Sequence, residues 1–179
     1  MRIAISGTHR AGKSTLAEDL AALLRDHLLI GEPYHDMAED GYPFSHPPSL
    51  DDFEAQLEHS LLSLNDREPN VIFDRCPVDF LGYLATHDDS ARFDADVWLP
   101  RVRAAVRTLD LVVFVPIEAV DLIVLSASDD DGRSRANVDE ELRRIWLDDP
   151  FDQKVDVLEV EGTPHRRVKA VMERIRIGC

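Results

Sequence analysis

Residues 7–15 read GTHRAGKST, with Gly7 and Gly12 separated by four residues and followed at once by Lys13 and Ser14. RIAIS, Arg2 to Ser6, is a short β-branched run that stops at Gly7, and Leu16, Leu20, Leu23 and Leu24 then recur with helical period. The order predicted is strand, glycine turn, and helix to about His27. Glycines in such a turn let backbone N–H groups converge on phosphate oxygens, and the helix amino terminus adds partial positive charge. Lys13 is placed to neutralise β- and γ-phosphates and the Ser14 hydroxyl to ligate magnesium. The nucleotide-binding set is therefore Gly7, His9, Arg10, Ala11, Gly12, Lys13, Ser14 and Thr15, in the pattern of a P-loop.

The rest of the composition limits what such a cradle serves. At 179 residues, 44% of them apolar, the chain is long enough for one domain with a real core, residues 1–179. No apolar run approaches the ~18 residues that would cross a bilayer. Nothing near Met1 resembles a signal peptide, and the two cysteines, Cys76 and Cys179, fit a reducing compartment, so a cytoplasmic protein is expected. A net charge of −15 argues against a nucleic-acid partner, which needs a basic face to displace counterions. The phosphate handled must be small and neutralised locally. Only Lys13, Lys154 and Lys169 are lysines among 20 basic residues, so one of three lysines falls inside the motif.

Beyond the first helix, LLI (28–30) predicts a second strand ending at Gly31-Glu32-Pro33. Residues 34–49 lack periodicity and read as a long ordered loop with at most one helical turn. Ser49 or Asp51 is a cap for a helix carrying Phe53, Leu57, Leu61 and Leu64, which ends near Pro69-Asn70. VIFDR (71–75) is a third strand, and Pro77 opens a helix to about His87. A helix with Pro100 inside it is expected from Asp94 to Thr108. LVVFV (111–115) reads as a strand buried on both faces. A helix follows from Ala119 to about Ser126. SDDDGRSR (128–135) reads as a loop, Val138 to Leu147 as a helix, VDVLEV (155–160) as a fifth strand, and Pro164 to Ile177 as the last helix. The alternation implies an α/β parallel sheet with helices on both sides.

A magnesium site needs a carboxylate at the end of a neighbouring strand, and Asp74 is the natural one. Arg75 beside it is a candidate for a phosphate or substrate group, or a surface arginine. The P-loop, Glu32-Pro33 after the second strand, Asp74-Arg75 after the third and an arginine-bearing segment late in the chain together resemble the nucleoside and nucleotide kinase branch of P-loop proteins. DRCPVDFLGY (74–83) looks especially like ribosylnicotinamide-kinase-like and small AAA-type kinase domains.

The resemblance implies a five-stranded parallel sheet in the order 2-3-1-4-5, flanked by helices, with an arginine-bearing lid over the phosphates. It places Glu32 as general base, with Asp36 the competing base and Asp74 a third candidate. It puts the lid at 127–137, with Arg133 and Arg135 closing on the transferring phosphoryl group. Arg143 and Arg144 sit inside a helix and read as solvated, with one of them facing the site as the other reading. Gly162-Thr163 resembles the turn that contacts the nucleotide base, with Arg166 or Arg167 stacking on it; an ordinary threonine cap is the other reading.

The 34–48 loop is the expected wall of an acceptor pocket, with Tyr34, His35, Asp36, Tyr42 and Phe44 beside Glu32 and Arg75. The same aromatics read equally as packing for the loop. His35 and His46 have no accompanying metal-ligand pattern. Trp98 and Trp146 lie on apolar helix faces and read as core. No guanine-reading Asn-Lys-x-Asp follows a strand, and the chain is short for a motor ATPase. The sequence thus predicts a kinase using ATP (GTP being possible) and magnesium, acting on the hydroxyl of a small molecule, nucleoside-like or an antibiotic, as a monomer or homodimer. A nucleotide-binding regulatory module that acts through a protein partner is the alternative of another class.

Overall fold

The computed structural model describes residues 1–118, 129–149, 152 and 154–177, the stretch 129–133 by its backbone alone. The apolar runs become five strands, β1 (Arg2–Ser6), β2 (Leu28–Ile30), β3 (Val71–Asp74), β4 (Leu111–Phe114) and β5 (Val157–Glu159). They form one parallel sheet in the order β2-β3-β1-β4-β5, as expected. Seven α-helices lie among the described residues: α1 (Lys13–Leu23), α2 (Pro33–Glu39), α3 (Leu50–Asn65), α4 (Pro77–Thr86), α5 (Ala95–Val106), α6 (Asp129–Leu147) and α7 (Pro164–Ile177).

Because successive strand side chains point to opposite faces, the continuous apolar strands supply two cores. Ile3 and Ile5 of β1, Ile72 of β3 and Leu111 and Val113 of β4 join Leu16 and Leu20 of α1 and Val171 of α7. Ala4, Phe73, Val112 and Phe114 face the other way, onto Leu57 and Leu61 of α3, Phe80 and Leu84 of α4, and Leu142 and Trp146 of α6. Burial on both faces is why the strands read as unbroken apolar runs rather than alternating ones.

Several boundaries differ from the sequence reading. The 34–48 region begins with a real helix, α2, in which Pro33 sits in the first turn, where its fixed φ suits a helix. Only Pro33 and Met37 of α2 are buried, too few to print a period in the sequence. The segment 128–135 was expected as a loop, but from Asp129 it is helical and continuous with the expected helix at Val138, as α6. Polar residues dominate it up to Val138, and acidic residues are favoured near helix amino termini, so its polarity misled the loop assignment. Helix α1 stops at Leu23 rather than His27, α3 at Asn65, and β5 is confined to Val157–Glu159. The expected helix from Ala119 to Ser126, and Cys179, lie outside the described residues.

Ser49 caps α3 with a capping box: its hydroxyl accepts the Asp52 N–H at 3.2 Å, and Asp52 accepts the Ser49 N–H at 2.8 Å. Replacing Ser49 with Ala should lower unfolding stability by about 1 kcal/mol in urea denaturation. Leu57→Ala, which empties a fully buried position of the same helix, should lower it by about 2–5 kcal/mol. A smaller loss at Leu57 than at Ser49 would contradict this account of how α3 is held.

Candidate functional site

The site grows from the carboxyl ends of β1 and β3, which lie level because Ile5 pairs with Asp74. After Ser6 the chain turns at Gly7 with φ +149°, and a Cβ there would collide with the carbonyl oxygen of Val115. Gly12 ends the turn in the left-handed conformation, φ +85°, where a Cβ would lie 3.0 Å from Arg167 Nη1. Both glycines are thus required by backbone geometry. Lys13 opens α1, 4% exposed, and its Nζ donates to the Thr8 carbonyl at 2.8 Å. Burial and the charge of Arg75 lower its amine to about 8, against the opposing pull of Asp79, Glu32 and Asp74. Ser14 and Thr15 follow on the exposed side of the helix start, open to an incoming ligand.

Side chains from three distant helices brace this loop. The His9 N–H donates to the Tyr83 hydroxyl of α4 at 2.8 Å. Arg135 of α6, 1% exposed, donates from Nε to the His9 carbonyl at 3.1 Å. Its Nη2 is buried and meets no acceptor among the described residues. Arg167 of α7 donates to the Ala11 carbonyl and to Glu118, each at 2.7 Å. Arg135 therefore does reach the phosphate loop. The side chain of Arg133, the other expected lid arginine, lies outside the described residues, although its backbone is in α6.

On the neighbouring strand, Asp74 is 6% exposed, and its Oδ1 accepts no hydrogen bond from any described residue. A buried carboxylate oxygen left without a donor is costly unless a group beyond those described satisfies it. Within reach of the Lys13 charge, that oxygen fits a hydrated cation such as magnesium. No group of three or more His, Cys, Asp or Glu that could hold a metal ion occurs among the described residues.

Arg75 adopts φ +111°, a conformation that costs a non-glycine residue about 1–3 kcal/mol and tends to concentrate at functional sites. Its Nε donates to Glu32 Oε1 at 2.5 Å, and its guanidinium carbon lies 5.4 Å from the Tyr83 ring centroid. Burial opposes its charge, but Tyr83, Glu32 and Asp79 more than offset that, so Arg75 stays cationic. For Glu32, burial alone would raise the carboxyl; Arg75 and Lys13 outweigh it and hold the group below the ordinary range. Glu32 is therefore an ionised carboxylate at the amino end of α2, close to Lys13 and Arg75.

Asp36 is one turn further along α2, with Oδ2 3.7 Å from His59 Nε2 on α3. Tyr34, Tyr42 and Phe44 pack on one another, with ring centroids 4.5 Å apart for Tyr34–Phe44 and 4.6 Å for Tyr42–Phe44. His35 stands edge-on to Tyr34 and is exposed. The aromatics thus do pack the loop, while each stays partly open to solvent. At the far side, the Gly162 N–H donates to Glu118 at 2.6 Å and Thr163 Oγ1 accepts the Arg166 N–H at 3.4 Å. Arg167 is engaged with Ala11 and Glu118, which leaves Arg166 as the exposed arginine of this turn.

Sequence reasoning passed over Asp79. It is fully buried, and its Oδ1 accepts the Ser6 hydroxyl and, at 3.2 Å, the Gly7 N–H. Ser6 Oγ in turn accepts the Trp146 indole N–H at 2.7 Å, so a core tryptophan also has a polar task. The sequence signal available was only a carboxylate three residues after the Cys76 cap, which reads as a capping-box member.

A sequence profile of the family described as AAA domain matches residues 2–167. No curated protein matches the sequence. Among solved structures, deoxyadenosine kinase from M. mycoides superposes with a TM-score of 0.70 at 15% identity, over 99% of this chain and 100% of that one. Thymidylate kinase from Candida albicans gives 0.63 at 19% identity, over 98% and 91%. Shikimate kinase from Aquifex aeolicus gives 0.61 at 19% identity, over 99% and 98%. At these identities the likeness is one of fold: a P-loop sheet with its helices. No helix among the described residues is long and apolar enough to cross a membrane.

Burial raises the Asp79 carboxyl to about 6, a shift that Arg75, Lys13 and the Ser6 and Cys76 hydrogen bonds only partly offset. Because this folded value lies above the unfolded one of 3.8, the folded protein binds the proton more tightly. The resulting penalty is absent below about pH 4 and complete above about pH 6, reaching about 3 kcal/mol. Asp79→Asn removes that titration. Its urea stability relative to the parent should rise by about 2 kcal/mol from about pH 4 to about pH 7; a difference that does not change with pH would contradict the buried-carboxylate account.

Proposed function

Since the chain belongs to the AAA domain family and carries the fold of P-loop kinases, we propose that it is a magnesium- and ATP-dependent phosphotransferase. It moves the γ-phosphoryl group to the hydroxyl of a small molecule, a nucleoside or nucleoside-like compound. The observation that carries the reading is one convergence. Lys13, the unpartnered Asp74 Oδ1 and the Glu32–Arg75 pair come together at the carboxyl ends of β1, β2 and β3.

Phosphoryl transfer through a loose transition state asks the protein chiefly for position and charge, not for strong covalent or proton chemistry. The loop from Gly7 to Thr15 offers its N–H groups to the phosphates, and Lys13 adds a buried cation. A bound phosphate favours the charged amine that burial disfavours. Ser14 and Asp74 would hold magnesium, which when bound would neutralise phosphate charge. Arg135 keeps a buried Nη2 free of described acceptors beside the loop, available to a phosphate oxygen.

Glu32, ionised and fixed by Arg75, is the favoured partner for the acceptor hydroxyl. It is a weak base in this setting, so its contribution is to orient the hydroxyl and receive its proton late. Asp36 instead faces His59, and Asp74 belongs to the metal side. The partly open aromatics Tyr34, Tyr42 and Phe44, close after Glu32 in the chain, support a planar acceptor such as a nucleoside.

Three measurements test these roles. Lys13→Ala should abolish ADP formation from ATP and nucleosides, at least about 10²-fold, while circular dichroism stays that of the parent; retained turnover would contradict the cradle. Glu32→Gln should lower kcat by about 10²-fold or more and change ATP affinity less than about threefold. An unchanged kcat would pass the role to Asp36 or Asp74. Removing magnesium with EDTA should stop turnover in the parent protein, and restoring it should recover the rate.

A further inference from the structure

Resting on the kinase reading, we propose that Asp79 is a positioning residue that locks the phosphate loop and the Arg75–Glu32 pair into one arrangement. Its two carboxylate oxygens face different halves of the site. Oδ1 accepts the Gly7 N–H and the Ser6 hydroxyl, at the point where β1 becomes the phosphate loop. Oδ2 accepts the Cys76 N–H at 3.4 Å and lies 3.8 Å from Arg75 Nη1, on the side that carries Glu32.

A residue serving only as the capping-box partner of α4 would need a single oxygen on the Cys76 N–H. The second oxygen does something a helix cap does not require: it crosses to β1 and fixes the loop entrance, 72 residues earlier in the chain. The hydrogen bonds reach further. Trp146 donates to Ser6, and on the same helix Arg135 donates to the His9 carbonyl, so α6 grips both ends of the loop's first half. A fully buried carboxylate that disfavours its own ionisation is a poor choice for stability alone. Its presence is understood if the geometry it imposes on both substrates is what matters.

The consequence is a coupling between donor and acceptor. Asp79→Asn keeps the shape and one acceptor oxygen, but turns the other end into an N–H₂ that faces the Cys76 N–H and the Arg75 guanidinium. Arg75 and the loop entrance then cannot both keep their places. Misplacement of reacting groups by about 1 Å costs about 10²-fold in rate.

The test compares the parent, Asp79→Asn and Ser6→Ala, the last removing the hydroxyl from Oδ1 while leaving the carboxylate. Thermal unfolding gives the folded fraction. Binding of a fluorescent N-methylanthraniloyl ATP with magnesium is read without any acceptor, and kcat and both KM values are read with nucleosides. Asp79→Asn should weaken nucleotide binding by about tenfold and lower kcat by about 10–100-fold per folded molecule, and Ser6→Ala should move both in the same direction by less. Nucleotide affinity and kcat within about twofold of the parent, once corrected for folded fraction, would reduce Asp79 to a structural cap and overturn the proposal. If the parent transfers phosphate to no hydroxyl, the kinase reading fails by itself, and nucleotide affinity alone decides: a tenfold loss upholds the positioning role and an unchanged value ends it.

Discussion

The in-register parallel pairing of β1 with β3 and β4 sets Ile5 beside Asp74 and Ser6 beside Phe114, so that three strands end at one level. Everything at the site follows from that shared edge. The turn after β1 must pass so close to Val115 that only glycine fits at position 7, and the turn after β3 forces Arg75 into a left-handed backbone. Ligands of open parallel sheets collect outside such strand ends because the helix amino termini point there. A shift of register between β1 and β3 would separate Lys13 from Asp74 and take this edge of the site apart.

The charge arrangement resolves an apparent conflict. The chain carries −15 overall, yet four of its buried cations, Lys13, Arg75, Arg135 and Arg167, cluster around one loop. Glu32, Asp79 and Glu118 meet part of that charge, while Arg75 Nη1 and Arg135 Nη2 keep hydrogen-bonding capacity that no described residue uses. Buried cations are tolerated only when paired, and a partly paired cluster is a receptacle for anions. The acidic exterior and this basic interior together favour a small phosphate compound over a polymeric one.

The phosphate loop and the strand order were legible because their signals are local or periodic: the glycine spacing, Lys13 after Gly12, and apolar runs that alternate with helical patterns. Asp79 was not, since its meaning lies in Ser6 and Gly7, far away in sequence, and nothing near Asp79 announces that contact. Arg135 was expected to close on the phosphates as a lid from a loop; it reaches His9 instead from inside a helix whose polar beginning carries no apolar period. Arg167, read as a base-stacking candidate, is held by Ala11 and Glu118 through contacts that only the folded chain creates. In each case the missing information was long-range pairing among polar groups, for which a single sequence has no periodicity.

If the cations gathered at this edge exist to move a phosphoryl group onto a bound hydroxyl, the fate of the γ-phosphorus decides the matter. The direct measurement is ³¹P nuclear magnetic resonance of the purified protein with ATP, magnesium and a set of nucleosides. The account predicts that the γ-phosphate signal is replaced by a phosphomonoester resonance that appears only when an acceptor is present. Conversion to inorganic phosphate alone, at a rate indifferent to every acceptor, would contradict it.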